Sequence, residues 1–342
     1  MKKLLNTLYV TSPNAYLSLD GENVVVMIEN VEKLRVPLHN IQAIVTFGYS
    51  GASPALMYAC AERNISIDFL GQNGRFKARV IGKVKGNVLL RKKQYFLSEE
   101  PHCLSIAKNI ITGKLFNARQ VIERAVRDYP LRLDIDKLKE KSAYIKDMMY
   151  KMQEAKDLGE VRGIEGNVAK AYFGIFDDLI LQQKEDFYFS ARSKRPPLDN
   201  VNAMLSFMYS IHTYEIASAL EAVGLDPYVG FLHRDRPGRV SLALDLLEEF
   251  RHVLIDRFVI TLINKREISP GGFTKAENGA VKMDDATRKT ILSAWQQRKQ
   301  EDIVHPFLKE KISWGLVAHV QAMLLARHIR GDLEEYPPFL WK

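Results

Sequence analysis

The stretch LHRDRPGRVSLALDLLEEF, residues 232–250, and its helical continuation bring one loop histidine close to four carboxylates. His233 lies in a basic loop broken by Pro237 and Gly238. The apolar helical pattern that follows, Val240 to about Asn264, carries Asp245, Glu248, Glu249, His252 and Asp256. At 100° per residue, Ser241 and these five fall within a stripe of roughly 100°, opposite Leu247, Phe250, Leu254 and Phe258. The stripe holds no Lys or Arg; Arg251 and Arg257 point elsewhere on the wheel. Asp245 and Glu249 are like charges at i,i+4, mildly unfavourable on an isolated helix. Positive charge must come from outside, as a basic segment or as a divalent cation. A solvated or salt-bridged face and a metal site are both open, and His233 alone reads as a structural or surface histidine or as a ligand. For a metal, oxygen ligands with one imidazole suit Mg²⁺ or Mn²⁺ better than zinc.

Two further segments carry chemistry. In GIEGNVAKAYFGIF, residues 163–176, a helix sets Glu165 on one face with Ala169, Tyr172 and Phe176. That face should be buried, and a buried carboxylate needs a partner or a proton. Gly163 and Gly166 flank it, each costing about 1 kcal/mol relative to Ala inside a helix, which suits a place where something approaches the backbone closely. The alternative is a Glu165 exposed in a frayed first turn. In ARSKRPPLDNVNAMLSFMYSI, residues 191–211, Arg192, Lys194 and Arg195 precede two prolines. Asp199 or Asn200 can then cap a helix bearing Asn202, Ser206 and Tyr209. Three cations on such a loop could hold phosphate or pair with surface acids. The chain has no GxxxxGK[ST], no GxGxxG after a strand, no HExxH, no CxxC and no GxSxG. ATP hydrolysis, dinucleotide chemistry and serine acyl transfer are therefore without support.

The elements that must position these residues divide the chain. Up to about residue 85 the pattern is that of strands. AYLSLDGENVVVMIE centres a hairpin on Asp20-Gly21. KLRVPL, IQAIVTF, ISIDFL and FKARVIG read as further strands, with Asn73-Gly74 turning between the last two. Pro37 assigns its strand to a sheet edge. SPALMYACAERN predicts one short helix, capped by Ser53 with Pro54 at its first position. From about Ser98 the period is helical, with loops predicted at ARSKRPPLDN and NKREISPGGFTKAENGAVKM. The expected fold class is α+β in two domains: a small N-terminal β-sheet, β-sandwich-like domain over 1–85, a linker over 86–98, and a larger all-α domain over 99–342.

Composition agrees with a globular chain. Its 342 residues, 46% hydrophobic and 26% charged, allow a substantial core. No run of about 18 apolar residues is present, so no transmembrane helix is expected. The N-terminus turns polar too soon for a signal peptide. Cys60 and Cys103 are the only cysteines, which fits a reducing cytoplasm and leaves no disulfide framework or zinc cluster. The 49 Lys+Arg against 41 Asp+Glu, with a pI near 9.2, point to a polyanionic partner.

Three motifs, GIEGNVAKAYF from 163, RSKRPPLDNVNAMLSFMY from 192 and GLDPYVGFLHRDRPGRVSLALDLLEEFR from 224, resemble in order and spacing the CRISPR-associated integrase and endonuclease of spacer acquisition, the Cas-one family. The resemblance covers essentially the whole chain. It implies an α-helical catalytic domain in which Glu165, His233 and Glu248 bind Mg²⁺ or Mn²⁺, with Asp245 a further nearby catalytic acid. The family's third ligand is Asp in some members; Glu248 stands there in this sequence. The resemblance also implies an N-terminal dimerisation domain, a homodimer, and a small ferredoxin-like second adaptation protein (Cas-two) as partner. The substrate would be double-stranded DNA, as captured prespacer and as CRISPR array. A 3′-hydroxyl would attack a phosphodiester at the leader-repeat junction, and water in its place would cut DNA. Arg192, Lys194, Arg195, Lys92, Lys93, Arg234 and Arg236 are then expected to track phosphates without reading bases. The location implied is cytoplasmic, with no membrane partner. The competing expectation is a non-catalytic, sequence-independent DNA-binding or architectural protein whose acids pair with its own basic loops.

Overall fold

Alternating β-branched runs early in the chain and helical periodicity later build two units in the computed structural model, which describes residues 6–12, 14–48, 51–71, 76–83 and 88–342. The first unit gathers Met1–Lys85, Lys282–Glu301 and Ser313–Leu316; the second gathers Gly86–Val281, Asp302–Ile312 and Val317–Lys342.

In the first unit the described strands are β1 (Thr7–Val10), β2 (Ala15–Asp20), β3 (Asn23–Ile28), β4 (Val31–Pro37), β5 (Ala43–Phe47), β6 (Gly51–Ala52), β7 (Ser66–Leu70) and β8 (Phe76–Val80). They form two four-stranded sheets, ordered β1-β5-β7-β8 and β4-β3-β2-β6. The hairpin expected at Asp20-Gly21 forms, with β2 antiparallel to β3 and Asp20 opposite Asn23. Pro37 ends β4, the outer strand of its sheet, where a missing N–H costs no ladder bond. The helix α1 (Pro54–Glu62) is capped as expected, Ser53 Oγ accepting from Leu56 N at 3.2 Å. Leu17, Val24 and Val26 from one sheet, Ile44 and Ile67 from the other, and Leu56 and Cys60 from α1 share one core. The sequence pattern did not mark β1 or the two-residue β6, and the turn expected at Asn73-Gly74 lies outside the described residues. The helix Asp285–Gln300, inside the stretch 99–342 expected to be one domain, belongs to this first unit. There Gln296 Nε2 donates to Thr7 O at 2.5 Å and Lys299 Nζ to Thr7 Oγ1 at 3.1 Å.

The second unit is helical. The expected linker over 86–98 is mostly a helix, α2 (Val88–Ser98), because Leu90 and Gln94 share a buried face. Gln94 Nε2 donates to Asp226 O and Val229 O at 2.8 and 2.9 Å. Next come α3 (Cys103–Asp128), α4 (Ile135–Glu154), α5 (Leu158–Phe173), α6 (Asn200–Ala222) and α7 (Ser241–Phe250). A π-helical turn over Arg251–Asp256 joins α7 to α8 (Arg257–Asn264), and a last helix, Trp314–Arg330, belongs to this unit from Val317 onward. Asp134, Asp157 and Asp199 cap α4, α5 and α6 by accepting backbone N–H groups, as short side-chain acceptors do at helix starts. ARSKRPPLDN is a loop, whereas the expected loop over 264–283 contains two three-residue strands, Phe273–Lys275 and Val281–Met283. No helix among the described residues is long and apolar enough to cross a membrane. Cys60 and Cys103 are free and buried.

α3 organises this unit. Its buried face runs through Ile106, Ile110, Lys114, Asn117 and Val121, so two polar residues occupy core positions. Asn117 Nδ2 donates to Glu249 O and Phe339 O at 2.8 and 2.7 Å, and its Oδ1 accepts from Trp341 N at 3.0 Å. Glu249 completes the attachment of the C-terminal segment, accepting from Tyr336 Oη at 2.6 Å, Phe339 N at 2.7 Å and Gln321 Nε2 at 3.0 Å. Burial pushes its carboxyl up to about 8, against these three hydrogen bonds.

A pH dependence follows. The unfolded chain ionises Glu249 near the ordinary value of 4.5, while the folded chain holds the proton up to about 8. The stabilisation is complete below 4.5 and is lost as pH rises towards 8. Urea midpoints across that range should fall for the parent protein relative to Glu249→Gln; parallel profiles would contradict the assignment.

Candidate active site

Three helices meet at one ammonium. Lys114 from α3 pairs with Glu165 Oε1 from α5 and, at 2.6 Å, with Glu248 Oε2 from α7. Arg251 Nε lies 2.8 Å from the same Glu248 oxygen. The positive charge that the acidic stripe lacks is thus supplied by α3 and by the helix's own continuation. Arg251, expected to point elsewhere, reaches back across i,i+3 as the π-helical turn begins. Burial opposes ionisation of Glu248, yet Arg251 and Lys114 hold its carboxyl well below the usual carboxylate range.

The stripe is not a solvated face, because Asp245, Glu248, Glu249, His252 and Asp256 are all buried. It resolves into separate partnerships. Glu249 turns to the C-terminal segment. His252 Nδ1 lies 2.7 Å from Asp256 Oδ2, and Tyr209 donates to the other Asp256 oxygen. Asp245 folds the loop before α7: Oδ2 accepts from Phe231 N and Leu232 N at 2.6 and 3.0 Å, and Oδ1 from His233 N at 3.0 Å. His233 Nδ1 lies 2.6 Å from Oδ1. A carboxylate can only accept, so Nδ1 carries the proton and Nε2 keeps the lone pair in the neutral ring. The oxygens of Asp245, the further nearby acid of the expectation, are engaged this way and anchor His233 and its loop. Gly230 is required beside it, since a Cβ there would stand 2.8 Å from Asp245 Oδ2 and 3.0 Å from the Ser241 backbone. Arg162 fastens the same loop, its Nε and Nη2 donating to Leu232 O at 3.0 and 2.6 Å.

Glu165 lies in the middle of α5, two turns past the Asp157 cap, which excludes a frayed first turn. Its face passes from the buried Tyr172 and Phe176 to Ala169 and Glu165, which border a cleft. A Cβ on Gly163 or Gly166 would meet nothing within 4 Å, so no other described part of the chain packs against these two positions.

The cleft, about 1540 Å³, carries ten Lys and Arg side chains against the two carboxylates Glu165 and Glu248, which makes it a seat for a polyanion. Arg192 is built into it: Nη1 donates to Asn202 Oδ1 at 2.6 Å and Nη2 to Ser206 Oγ at 3.0 Å. The guanidiniums of Arg192 and Arg251 lie 5.3 and 4.6 Å from the Tyr209 ring centre. Loss of hydration lowers the pKa of both Arg192 and Lys194, and Arg251 lowers them further. Cations crowded in this way favour a bound anion. Arg195, Arg234 and Arg236 also line the cleft. Lys92 and Lys93 do not; both sit on α2, and Lys93 Nζ donates to Arg330 O at 2.8 Å, satisfying a helix C-terminus.

Among the described residues no three His, Cys, Asp or Glu side chains are grouped so as to hold a metal ion as they stand. The point that Glu165 and Glu248 both address is taken by the Lys114 ammonium. Lys114 and Arg162 carried no expectation from the sequence, and Arg251 was expected on another side of the helix. The one available signal was a lysine at an apolar position of the α3 period.

Over residues 8–297 the chain matches the family described as CRISPR associated protein Cas1. It is 50% identical over 343 residues, all of both chains, to the CRISPR-associated endonuclease Cas1 1 of Chlorobaculum tepidum. Its fold is like that of a casposase bound to integration product, with a TM-score of 0.84 at 24% identity over 98% of this chain and 93% of that one. It is also like a chain of a Cas6-RT-Cas1–Cas2 complex, with a TM-score of 0.81 at 20% identity over 100% of this chain and 36% of that one.

Replacing Asp245 tests the loop anchor. Asp245→Ala strands two buried N–H groups and a third that is partly buried, and should cost roughly 3–5 kcal/mol in denaturant unfolding. Amide exchange should accelerate at Phe231, Leu232 and His233 first. Unchanged exchange there would show that the loop is held by other contacts.

Proposed function

The chain belongs to the CRISPR-associated Cas1 family, the endonucleases and integrases of CRISPR adaptation, and we propose that Glu165, His233 and Glu248 are its catalytic centre and metal ligands. The observation that carries this reading is the convergence of two carboxylates from separate helices on one cation, at the base of a cleft otherwise lined by Lys and Arg. Binding a polyanion needs only the cations. The donor set fits a hard divalent ion: two carboxylates, and an imidazole whose Nδ1 is fixed by a buried carboxylate so that Nε2 is the ligating atom. Mg²⁺ or Mn²⁺ held there would supply Lewis-acid stabilisation of the charge developing on the attacked phosphoryl group.

The chain's own residues do the rest. Arg192 and Arg251, close to the face of Tyr209, orient the target phosphodiester. Lys194, Arg195, Arg234 and Arg236 neutralise neighbouring phosphates on double-stranded DNA without reading bases. In insertion, the 3′-oxygen of the captured DNA bonds to phosphorus at the leader-repeat junction as one P–O bond of the array strand breaks. The proton lost by the attacking oxygen is regained by the leaving one. Water as the nucleophile gives cleavage. Asp245 acts as a positioning residue through His233. The partners that fit this role are a second copy of the chain, paired through the first unit, and the small second adaptation protein, in the cytoplasm.

Glu165→Ala, His233→Ala and Glu248→Ala should each lower Mn²⁺-dependent strand transfer into supercoiled DNA by about a hundredfold or more, with salt-sensitive DNA binding retained. Normal transfer by all three variants would dismiss the assignment. DNA binding without any change of strand connectivity, in the parent too, would favour an architectural role.

A further inference from the structure

Lys114 belongs to no motif, yet its side chain is only 4% exposed and lies between the two carboxylates of the proposed centre. We propose that Lys114 is a resident counter-cation: it holds Glu165 and Glu248 together in the metal-free protein and competes with the divalent ion for both. This rests on the metal-ligand assignment above.

The surroundings leave the ammonium this task. Glu165 and Glu248 come from α5 and α7, and without a cation between them two like charges would meet, one buried and the other only partly exposed. Arg251 answers one of them, since its Nε lies 2.8 Å from Glu248, and Lys114 answers the other while bridging both. Two carboxylates and two cations leave the site neutral, so the chain needs no metal to fold it.

The lysine backbone cannot shift to make room. At the preceding residue α3 sits hard against α7, where a Cβ on Gly113 would lie 3.2 Å from Glu249 Cγ and 3.2 Å from Pro338 Cβ. One turn later Asn117 donates to Glu249 O at 2.8 Å. Rotation of the lysine's own four-carbon stem frees the carboxylates while the helices stay in place, and Lys114 borders the cleft into which that rotation leads. Metal loading then costs an ion-pair exchange, which the added negative charge of bound phosphates favours. Metal affinity is set low in the free protein and rises with DNA.

The test uses the full chain stripped of metal by chelation. Mn²⁺ binding is followed by electron paramagnetic resonance, and melting temperature is recorded with and without the ion, for the parent, Lys114→Met and Glu165→Ala. Lys114→Met should melt lower than the parent in chelator, bind Mn²⁺ about tenfold tighter or more, and gain more in melting temperature from the ion. Lys114→Gln keeps an N–H donor between the carboxylates without the charge, and carries the same affinity expectation should the Met variant not fold. If Glu165→Ala loses Mn²⁺ while neither lysine variant binds it more tightly, the counter-cation idea fails and the metal site stands. If parent and Glu165→Ala bind Mn²⁺ equally, the ligand assignment fails and this proposal with it.

Discussion

Two carboxylates, one buried and one partly exposed, repel each other at close range unless a cation lies between them, and the helical unit is arranged around the cation that Lys114 provides. A lysine at a core position of α3 is tolerable only because α5 and α7 both present acids to it. Those acids are tolerable only because α3 passes close enough to deliver the ammonium. Gly113 and Asn117 secure that approach, one by having no Cβ and the other by hydrogen bonding to the α7 backbone. The position of each helix is therefore a condition for the charge state of the others.

Neighbouring acids on α7 do different work because they face different surroundings. Glu248 looks towards the cleft, where Arg251 and Lys114 keep it ionised. Glu249, one residue on, faces Tyr336, Gln321 and Phe339, where burial favours its protonated form. Asp245, also fully buried, acts through the backbone, gathering three N–H groups of the loop that carries His233. One short helix thus joins the cleft, the histidine loop and the C-terminal segment, so damage to packing behind α7 would be felt at the carboxylate in front of it.

The cleft rim supplies what a polyanion needs and the base supplies what phosphoryl chemistry needs. Arg192 and Arg251 are held by Asn202, Ser206 and Glu248 as well as by the Tyr209 ring, so their orientation is settled before any ligand arrives. Arginine on a fixed mount loses little freedom on binding phosphate. Arg195, Arg234 and Arg236 stay exposed on loops, where their charge acts at longer range and yields to salt.

Much of this was legible in the residues themselves. The hairpin at Asp20-Gly21, the Ser53-capped helix and the edge position of Pro37 follow from local chemistry that no distant contact overrides. The change from strand to helical period near Ser98 is a statement about repeating apolar positions and survives folding for the same reason. Residue type and spacing marked His233, Glu165 and the acidic stripe as candidates, and the family resemblance chose Glu248 among the acids of that stripe. What the sequence could not express is which charge answers which. A helical wheel treats a stripe as one face, but the enclosed helix meets α3, the histidine loop and the C-terminal segment from different directions, and each selects a different acid. Lys114 stands 51 residues before Glu165 and 134 before Glu248, so only the tertiary structure could bring the three together, because an ion pair depends on distance in space and leaves no periodic trace along the chain.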